Sequence, residues 1–225
     1  MTRLFVTSTG TEIGKTHVTA ALAHLARGAG RSLRVVKPLV SGFDPAAPEG
    51  SDPAVLAAAA GLALAAALDQ ISPWRYREPL SPDMAAAREG KAIDFAALTG
   101  FCRAALAGPE ECVLVEGVGG VMVPLDGLHT VRDWIAALEI PAVLVAGSYL
   151  GTLSHTLTAQ LALEDAGIPL HAVVVSESAT APVPLAETVA ALRRFVPGTQ
   201  IIGLPRRAGA ESWRDAPELS GLLGD

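Results

Sequence analysis

Leu4-Phe5-Val6-Thr7-Ser8-Thr9-Gly10-Thr11-Glu12-Ile13-Gly14-Lys15-Thr16 is the stretch from which the fold is read. It opens with an apolar run suited to a buried strand. It continues through small and polar residues to Gly14-Lys15-Thr16, and an Ala/Leu-rich helical pattern follows. Strand, loop, Gly-Lys-Thr and helix in that order read as a phosphate-binding loop. Backbone N–H groups in such a loop converge on phosphate oxygens, and the helix N-terminus adds partial positive charge. Lys15 is expected to reach the β- and γ-phosphates and Thr16 to offer its hydroxyl to Mg²⁺. The match is not strict. The strict pattern wants glycine where this chain has Thr9, and Gly10 is one residue away. Gly-Lys-Thr alone is common by chance and suits an ordinary turn with a surface lysine. The flanking strand and helix favour a nucleotide site.

Working outward, residues 16–29 carry helical apolar spacing at Val18, Ala21, Leu22 and Leu25. Residues 33–36 read as a strand that delivers Lys37-Pro38-Leu39-Val40-Ser41-Gly42 to the sheet end where Lys15 sits. Open α/β sheets gather their ligands there. Lys37 is thus either a cation for chemistry or a solvated strand-end lysine. Ser51-Asp52-Pro53 opens another helix, with Ser51 as N-cap. Asp52 either complements the helix dipole or reaches a metal. Residues 54–68, rich in alanine, read as one packed helix. Residues 71–90, interrupted by Pro73, Pro79 and Pro82, read as a structured loop walling a pocket.

After a helix over residues 95–107, the apolar run from Cys112 to Val115 ends in Glu116-Gly117-Val118-Gly119-Gly120. A carboxylate ending a buried strand is the usual second metal-site acid of phosphate-loop proteins. Three further strand-and-helix alternations follow. Strands are expected at 141–146, 170–175 and 200–204, and helices at 131–138, 151–166 and 184–195. The free N–H groups at Gly151-Thr152 make a potential carboxylate or phosphate site. The tail beyond Pro205 reads as a covering segment. The alternation predicts a single α/β domain over residues 1–225, a parallel sheet flanked by helices on both faces.

Composition narrows the function. A formal net charge of −6 argues against nucleic-acid binding through a basic face. No apolar run is long and clean enough for a bilayer, and no signal peptide pattern opens the chain, so a cytoplasmic, membrane-free protein is expected. Cys102 and Cys112 lack metal spacing and are expected to be buried free thiols. Positive charge is carried mostly by 14 arginines, against three lysines. Two of those lysines, Lys15 and Lys37, fall in motif-like places, where an ammonium is not interchangeable with a guanidinium.

Taken together, Thr11-Glu12-Ile13-Gly14-Lys15-Thr16, Lys37-Pro38 with Ser41-Gly42, Ser51-Asp52, Glu116-Gly117-Val118-Gly119-Gly120 with Pro124-Leu125, and Leu150-Gly151-Thr152 with His155-Thr156 resemble the dethiobiotin synthase family. The resemblance spans nearly the whole chain. It implies a P-loop NTPase-like fold and a homodimeric, ATP- and Mg²⁺-dependent ligase of biotin synthesis. Such an enzyme joins CO₂ or bicarbonate to 7,8-diaminopelargonic acid through a carbamate and a carbamic-phosphoric anhydride. Carried over by motif, Lys15 and Lys37 are catalytic. Thr11, Glu12, Ile13, Gly14, Lys15, Thr16, Glu116, Gly119, Ser176 and Pro205 hold the nucleotide. Thr11, Lys37, Ser41, Val118, Leu150, Gly151 and Thr152 hold the substrate, the last three across the dimer interface. Thr16, Asp52 and Glu116 hold Mg²⁺.

The chain departs from the family at Ser8, usually glycine, and at Ser176, where an asparagine commonly reads adenine. No asparagine occurs anywhere in the sequence. The rival is a switch ATPase of the partitioning or cell-division type. Those proteins carry an additional lysine five residues before the motif lysine, where this chain has Gly10. An amidoligase of cobalamin synthesis would usually need an appended glutaminase domain, and a fold that has lost catalysis would not need Lys15, Thr16, Lys37, Asp52 and Glu116 together.

Overall fold

The structure, a computed structural model, describes residues 1–224. Six parallel strands form the central sheet: β1 (Thr2–Ser8), β2 (Leu33–Val36), β5 (Cys112–Glu116), β6 (Ala142–Ala146), β7 (Leu170–Ser176) and β8 (Gln200–Leu204), in the order β2-β5-β1-β6-β7-β8. Two short strands, β3 (Leu39–Ser41) and β4 (Trp74–Tyr76), pair in parallel beside it. The helices are α1 (Lys15–Gly28), α2 (Asp52–Ala60), α3 (Leu64–Ile71), α4 (Pro82–Arg88), α5 (Phe95–Leu106), α6 (Val131–Leu138), α7 (Thr152–Asp165) and α8 (Leu185–Phe195). All six expected core strands are present.

The strands are apolar because both sheet faces are covered. Successive side chains point to opposite faces. Leu4, Val6, Leu114, Val143, Val145 and Val174 enter the core beneath α1 and α2. Phe5, Val113, Val115, Leu144, Val173 and Val175 enter the core shared with α5 and α6. In that second core Trp134 is fully buried and meets the Phe5 ring edge-on, with centroids 4.9 Å apart. Trp134→Ala is expected to cost about 3–5 kcal/mol of stability, read from the urea midpoint at an unchanged slope.

Three local expectations change. Residues 54–68 form not one helix but parts of α2 and α3, bent by 112°. Gly61, at φ 70°, ends α2 in the left-handed region that glycine adopts without penalty. Residues 71–90 hold β4 and α4 as well as loop, since Pro82 sits in the first turn of α4, where its missing N–H is harmless. Ser51 occupies the N-cap position of α2, but its hydroxyl donates to the Pro48 carbonyl at 2.5 Å instead of capping. Among the described residues no single helix is long and apolar enough to cross a membrane. Leu56, Ala57 and Ala59 of α2, and Ala67 and Ile71 of α3, lie in the core.

The tail covers α1, as expected. Trp213, Leu219, Leu222 and Leu223, in two short 3₁₀ segments (Ser212–Arg214 and Pro217–Leu223), join the core on that face. Cys102 and Cys112 are buried and free. Burial pushes the Cys102 thiol up to about 12, which leaves it unreactive.

The topology gathers the functional loops. In the β1–β5 register Val6 stands opposite Glu116, and in the β2–β5 register Val36 stands opposite Val115. The phosphate loop, Lys37 and Glu116 therefore leave three adjacent strands at the same edge.

Candidate active site

The loop between β1 and α1 turns sharply. Gly14, at φ 101°, caps α1 in the left-handed region, and a Cβ there would lie 2.8 Å from the Ser176 hydroxyl. A side chain at this position would thus be both strained and crowded. Glu12 also has positive φ, 59°. Gly120 packs onto the same loop, because a Cβ on it would approach the Thr9 and Gly10 backbone to 3.2 Å. The Gly-rich segment after β5 is therefore stacked directly on the phosphate loop.

Lys15 is 7 % exposed, with Nζ donating to Ser8 Oγ at 3.0 Å and to the Gly10 carbonyl at 3.2 Å. Burial lowers its pKa to about 8, and the neighbouring Lys37 charge acts in the same sense. Lys37 is treated oppositely. Burial disfavours its charge, but the Glu116 and Asp52 carboxylates outweigh this and hold its pKa above the ordinary lysine value. Its ammonium donates to Glu116 Oε1 at 2.7 Å and to Asp52 Oδ2, with Thr16 Oγ1 at 3.4 Å. Thr16 Oγ1 also donates to Glu116 Oε1 at 2.6 Å. Burial acts to raise the Asp52 pKa, but the facing Lys37 holds it below the ordinary carboxylate value.

Thr16, Asp52 and Glu116 thus converge on one point, where the Lys37 ammonium sits. Glu116 is fully buried, and its Oε2 has no hydrogen-bond partner among the described residues. A hydroxyl, two carboxylates and an orphaned carboxylate oxygen suit Mg²⁺, which takes one or two carboxylates beside phosphate and water. Among the described residues no larger acid, histidine or cysteine cluster competes for a metal.

These groups open into a cleft of about 810 Å³. Thr11, Glu12, Gly14, Lys15, Thr16, Lys37, Ser41, Asp52, Val118 and Gly119 line it. The opposite wall is Val40, Pro79, Leu80, Pro82 and Val123, so the segment expected to wall a pocket does so through residues 79–82. Ser41 Oγ is buried without a partner among the described residues. Ser176 pairs with Leu204 at the adjacent ends of β7 and β8, which puts it beside Pro205 and the phosphate loop. Leu150, Gly151 and Thr152 do not line this cleft within one chain. Leu150 is 86 % exposed, and the Thr152 hydroxyl turns back to the Gly147 carbonyl at 2.7 Å. Asp52 stands in the first turn of α2, as the dipole alternative has it, and its carboxylate faces Lys37.

Two features escaped the sequence. His17 lines the cleft, its pKa lowered by burial and then by Arg207 and Arg206 from the chain after β8. Ser8 was legible only as a departure from a family pattern, whereas its hydroxyl sits at the centre of the loop's hydrogen bonds.

The fold and the loop define a phosphate-loop nucleotide-binding protein of the α/β class. A family described as "AAA domain" matches residues 2–209. Among solved structures, the fold resembles MinD of the MinC:MinD cell division complex from Aquifex aeolicus. That match has TM-score 0.54 at 13 % identity, over 96 % of this chain and 86 % of that one. It also resembles the septum site-determining protein MinD of Pyrococcus horikoshii OT3, complexed with Mg-ADP. There the TM-score is 0.52 at 19 % identity, over 92 % and 82 % of the two chains. These show the fold alone. Sequence relatives go further. The ATP-dependent dethiobiotin synthetase of Acidiphilium cryptum is 49 % identical over 88 % of this chain and 90 % of its own. That of Caulobacter vibrioides is 47 % identical over 99 % of both. The chain belongs to the ATP-dependent dethiobiotin synthetase family, and is therefore an enzyme of the ligase class.

Proposed function

We propose that the protein converts 7,8-diaminopelargonic acid, CO₂ and ATP into dethiobiotin, ADP and phosphate. The observation that carries this reading is the pair of buried lysines lining one cleft between a phosphate loop and an apolar wall. Membership of the family supports this reaction, and the cleft is suited to the phosphates and the diamine. One amine adds to CO₂ and loses a proton, forming a carbamate. A carbamate oxygen attacks the γ-phosphorus and ADP leaves. The second amine then attacks the carbonyl of the resulting anhydride, expels phosphate and closes the cyclic urea.

In this reading Lys15 meets the transferring phosphoryl group, and backbone N–H groups of residues 11–16 hold the phosphates. Lys37 compensates the carbamate's charge. Val40, Leu80 and Val123 cover the alkyl chain, while the unpartnered Ser41 hydroxyl and the backbone at Val118 and Gly119 bind its polar end. Bound by Thr16, Asp52 and Glu116, Mg²⁺ would spread charge over phosphate oxygens. The distal carboxylate is held by the Leu150-Gly151-Thr152 end of α7 in a partner subunit. A homodimer accounts for an exposed Leu150 and for a helix end that lies away from this chain's own cleft. The reading places the enzyme in the cytoplasm, bound to neither membrane nor nucleic acid.

The test is phosphate release with ATP, Mg²⁺ and bicarbonate, with and without the diamine, while the cyclic urea is followed by mass. Product tied to phosphate supports the ligase. Hydrolysis indifferent to the diamine favours the switch ATPase. Base selection gives a separate prediction. Ser176 supplies one hydroxyl beside Pro205 where an asparagine would supply a donor and an acceptor together. Discrimination between ATP and other nucleoside triphosphates is expected to be weak, with kcat/KM values for ATP, CTP and GTP within about tenfold, roughly one hydrogen bond. A far larger preference for ATP would contradict it.

A further inference from the structure

Ser8 ends β1 and is completely buried. Its hydroxyl oxygen lies 3.0 Å from Lys15 Nζ, 2.5 Å from the Gly10 carbonyl, 3.0 Å from the Gly119 carbonyl and 3.3 Å from the Gly10 N–H. A hydroxyl has one proton and two lone pairs. Lys15 and the Gly10 N–H occupy the lone pairs, and the proton serves one of the two carbonyls. One side chain therefore joins the lysine to the phosphate loop, with the Gly119 carbonyl of the segment after β5 as the alternative acceptor. The backbone makes the link to that segment, since the Val121 N–H donates to the Ser8 carbonyl at 3.1 Å.

The position of Lys15 follows from this arrangement. Its ammonium has three protons and, among the described residues, no carboxylate at hydrogen-bond distance. Ser8 and the Gly10 carbonyl take two of them, and the third is left for the cleft that Lys15 lines. Ser8 fixes the ammonium through a neutral group, in contrast to Lys37, which is hydrogen-bonded to two carboxylates.

We propose that Ser8 is a positioning residue for the nucleotide reaction, its buried hydroxyl holding the Lys15 ammonium at the phosphates and bracing the phosphate loop at Gly10. This rests on the reading that Lys15 meets the β- and γ-phosphates. Preorganised charge is effective because it need not be rearranged as the phosphoryl group moves.

The experiment is a double-mutant cycle in the full chain with Ser8→Ala, Lys15→Gln and the double variant. Two quantities are read: the Kd of the Mg²⁺ complex of a non-hydrolysable ATP analogue, and kcat for phosphate release with the diamine present. A hydrogen bond to a charged group predicts roughly tenfold weaker binding of the analogue in Ser8→Ala. Turnover should fall by at least as much. Both losses should shrink to less than about twofold when Lys15 is already glutamine, because coupled neighbours are not additive. A purely structural serine would give the same loss in both backgrounds, and that result overturns the proposal. Unchanged or tighter binding in Ser8→Ala overturns it too. If the alanine variant folds poorly, Ser8→Cys keeps the volume with only a weak hydrogen-bonding group and takes its place in the cycle. The analogue measurement needs no product, so wild-type protein that makes no cyclic urea would refute the ligase reading while the binding cycle still decides Ser8.

Discussion

Lys37→Gln is expected to lower kcat by about a hundred- to a thousandfold while nucleotide affinity stays within about threefold. In the proposed reaction Lys37 acts on charge that develops at the carbamate, so its loss falls on turnover. The same substitution has a second consequence. Glu116 is fully buried, and the Lys37 ammonium is the cation that faces it and Asp52. Removing one member of a buried ion pair leaves an uncompensated charge, which costs about 3–5 kcal/mol. Asp52, with its side chain 47 % exposed, contributes less of that cost because water screens it. The variant should therefore unfold at lower temperature than wild type in EDTA, and Mg²⁺ should recover part of the difference by supplying a cation at the same carboxylates. Thermal unfolding with and without Mg²⁺, beside steady-state turnover, checks both effects. Normal turnover would remove Lys37 from the proposed chemistry.

Lys15→Gln should behave differently on both counts. Nucleotide affinity and kcat are each expected to fall about a hundredfold, since Lys15 is assigned to the phosphates before and during transfer. Stability should hold or rise. The Lys15 ammonium is buried against a hydroxyl and a carbonyl, and its pKa is about 8 instead of 10.5. A lowered lysine pKa means that the folded state disfavours the charged form, by about 3 kcal/mol for a shift of this size. That penalty is fully present below pH 8 and disappears as pH rises from 8 towards 10.5. Lys15→Gln should thus melt no lower than wild type at pH 7, and any advantage should narrow above pH 8. Isothermal titration with an ATP analogue and melting curves from pH 7 to 10 test this. A variant with wild-type affinity, or one much less stable at pH 7, would contradict the assignment. The opposite stability effects of two lysines in one cleft distinguish a cation held by neutral groups from one neutralised by facing carboxylates.

Much of this arrangement was determined by the sequence. The six core strands are short apolar runs separated by amphipathic helices, and that pattern leaves few alternatives to a covered parallel sheet. Lys15, Thr16, Lys37 and Glu116 could be placed at one sheet edge, because residues that end parallel strands share that edge. The break between α2 and α3 was not legible, since alanine favours helix throughout and the bend depends on Gly61 taking a left-handed conformation against its neighbours. Nor was the N-cap, as Ser51 has a competing carbonyl at Pro48.

Only the tertiary structure decided the pairing of charges. Nothing in the spacing of Asp52 and Glu116, 64 positions apart, says that both face Lys37. Nor does it say that Lys15, two strands along from Lys37, hydrogen-bonds only to neutral groups among the described residues. Ser8 illustrates the same limit. Its role depends on a hydrogen bond to a residue seven positions on. Local sequence specifies backbone conformation and which faces are buried. Which buried polar groups satisfy one another is set by contacts between strands and loops far apart in the chain, and these exist only once the sheet has assembled.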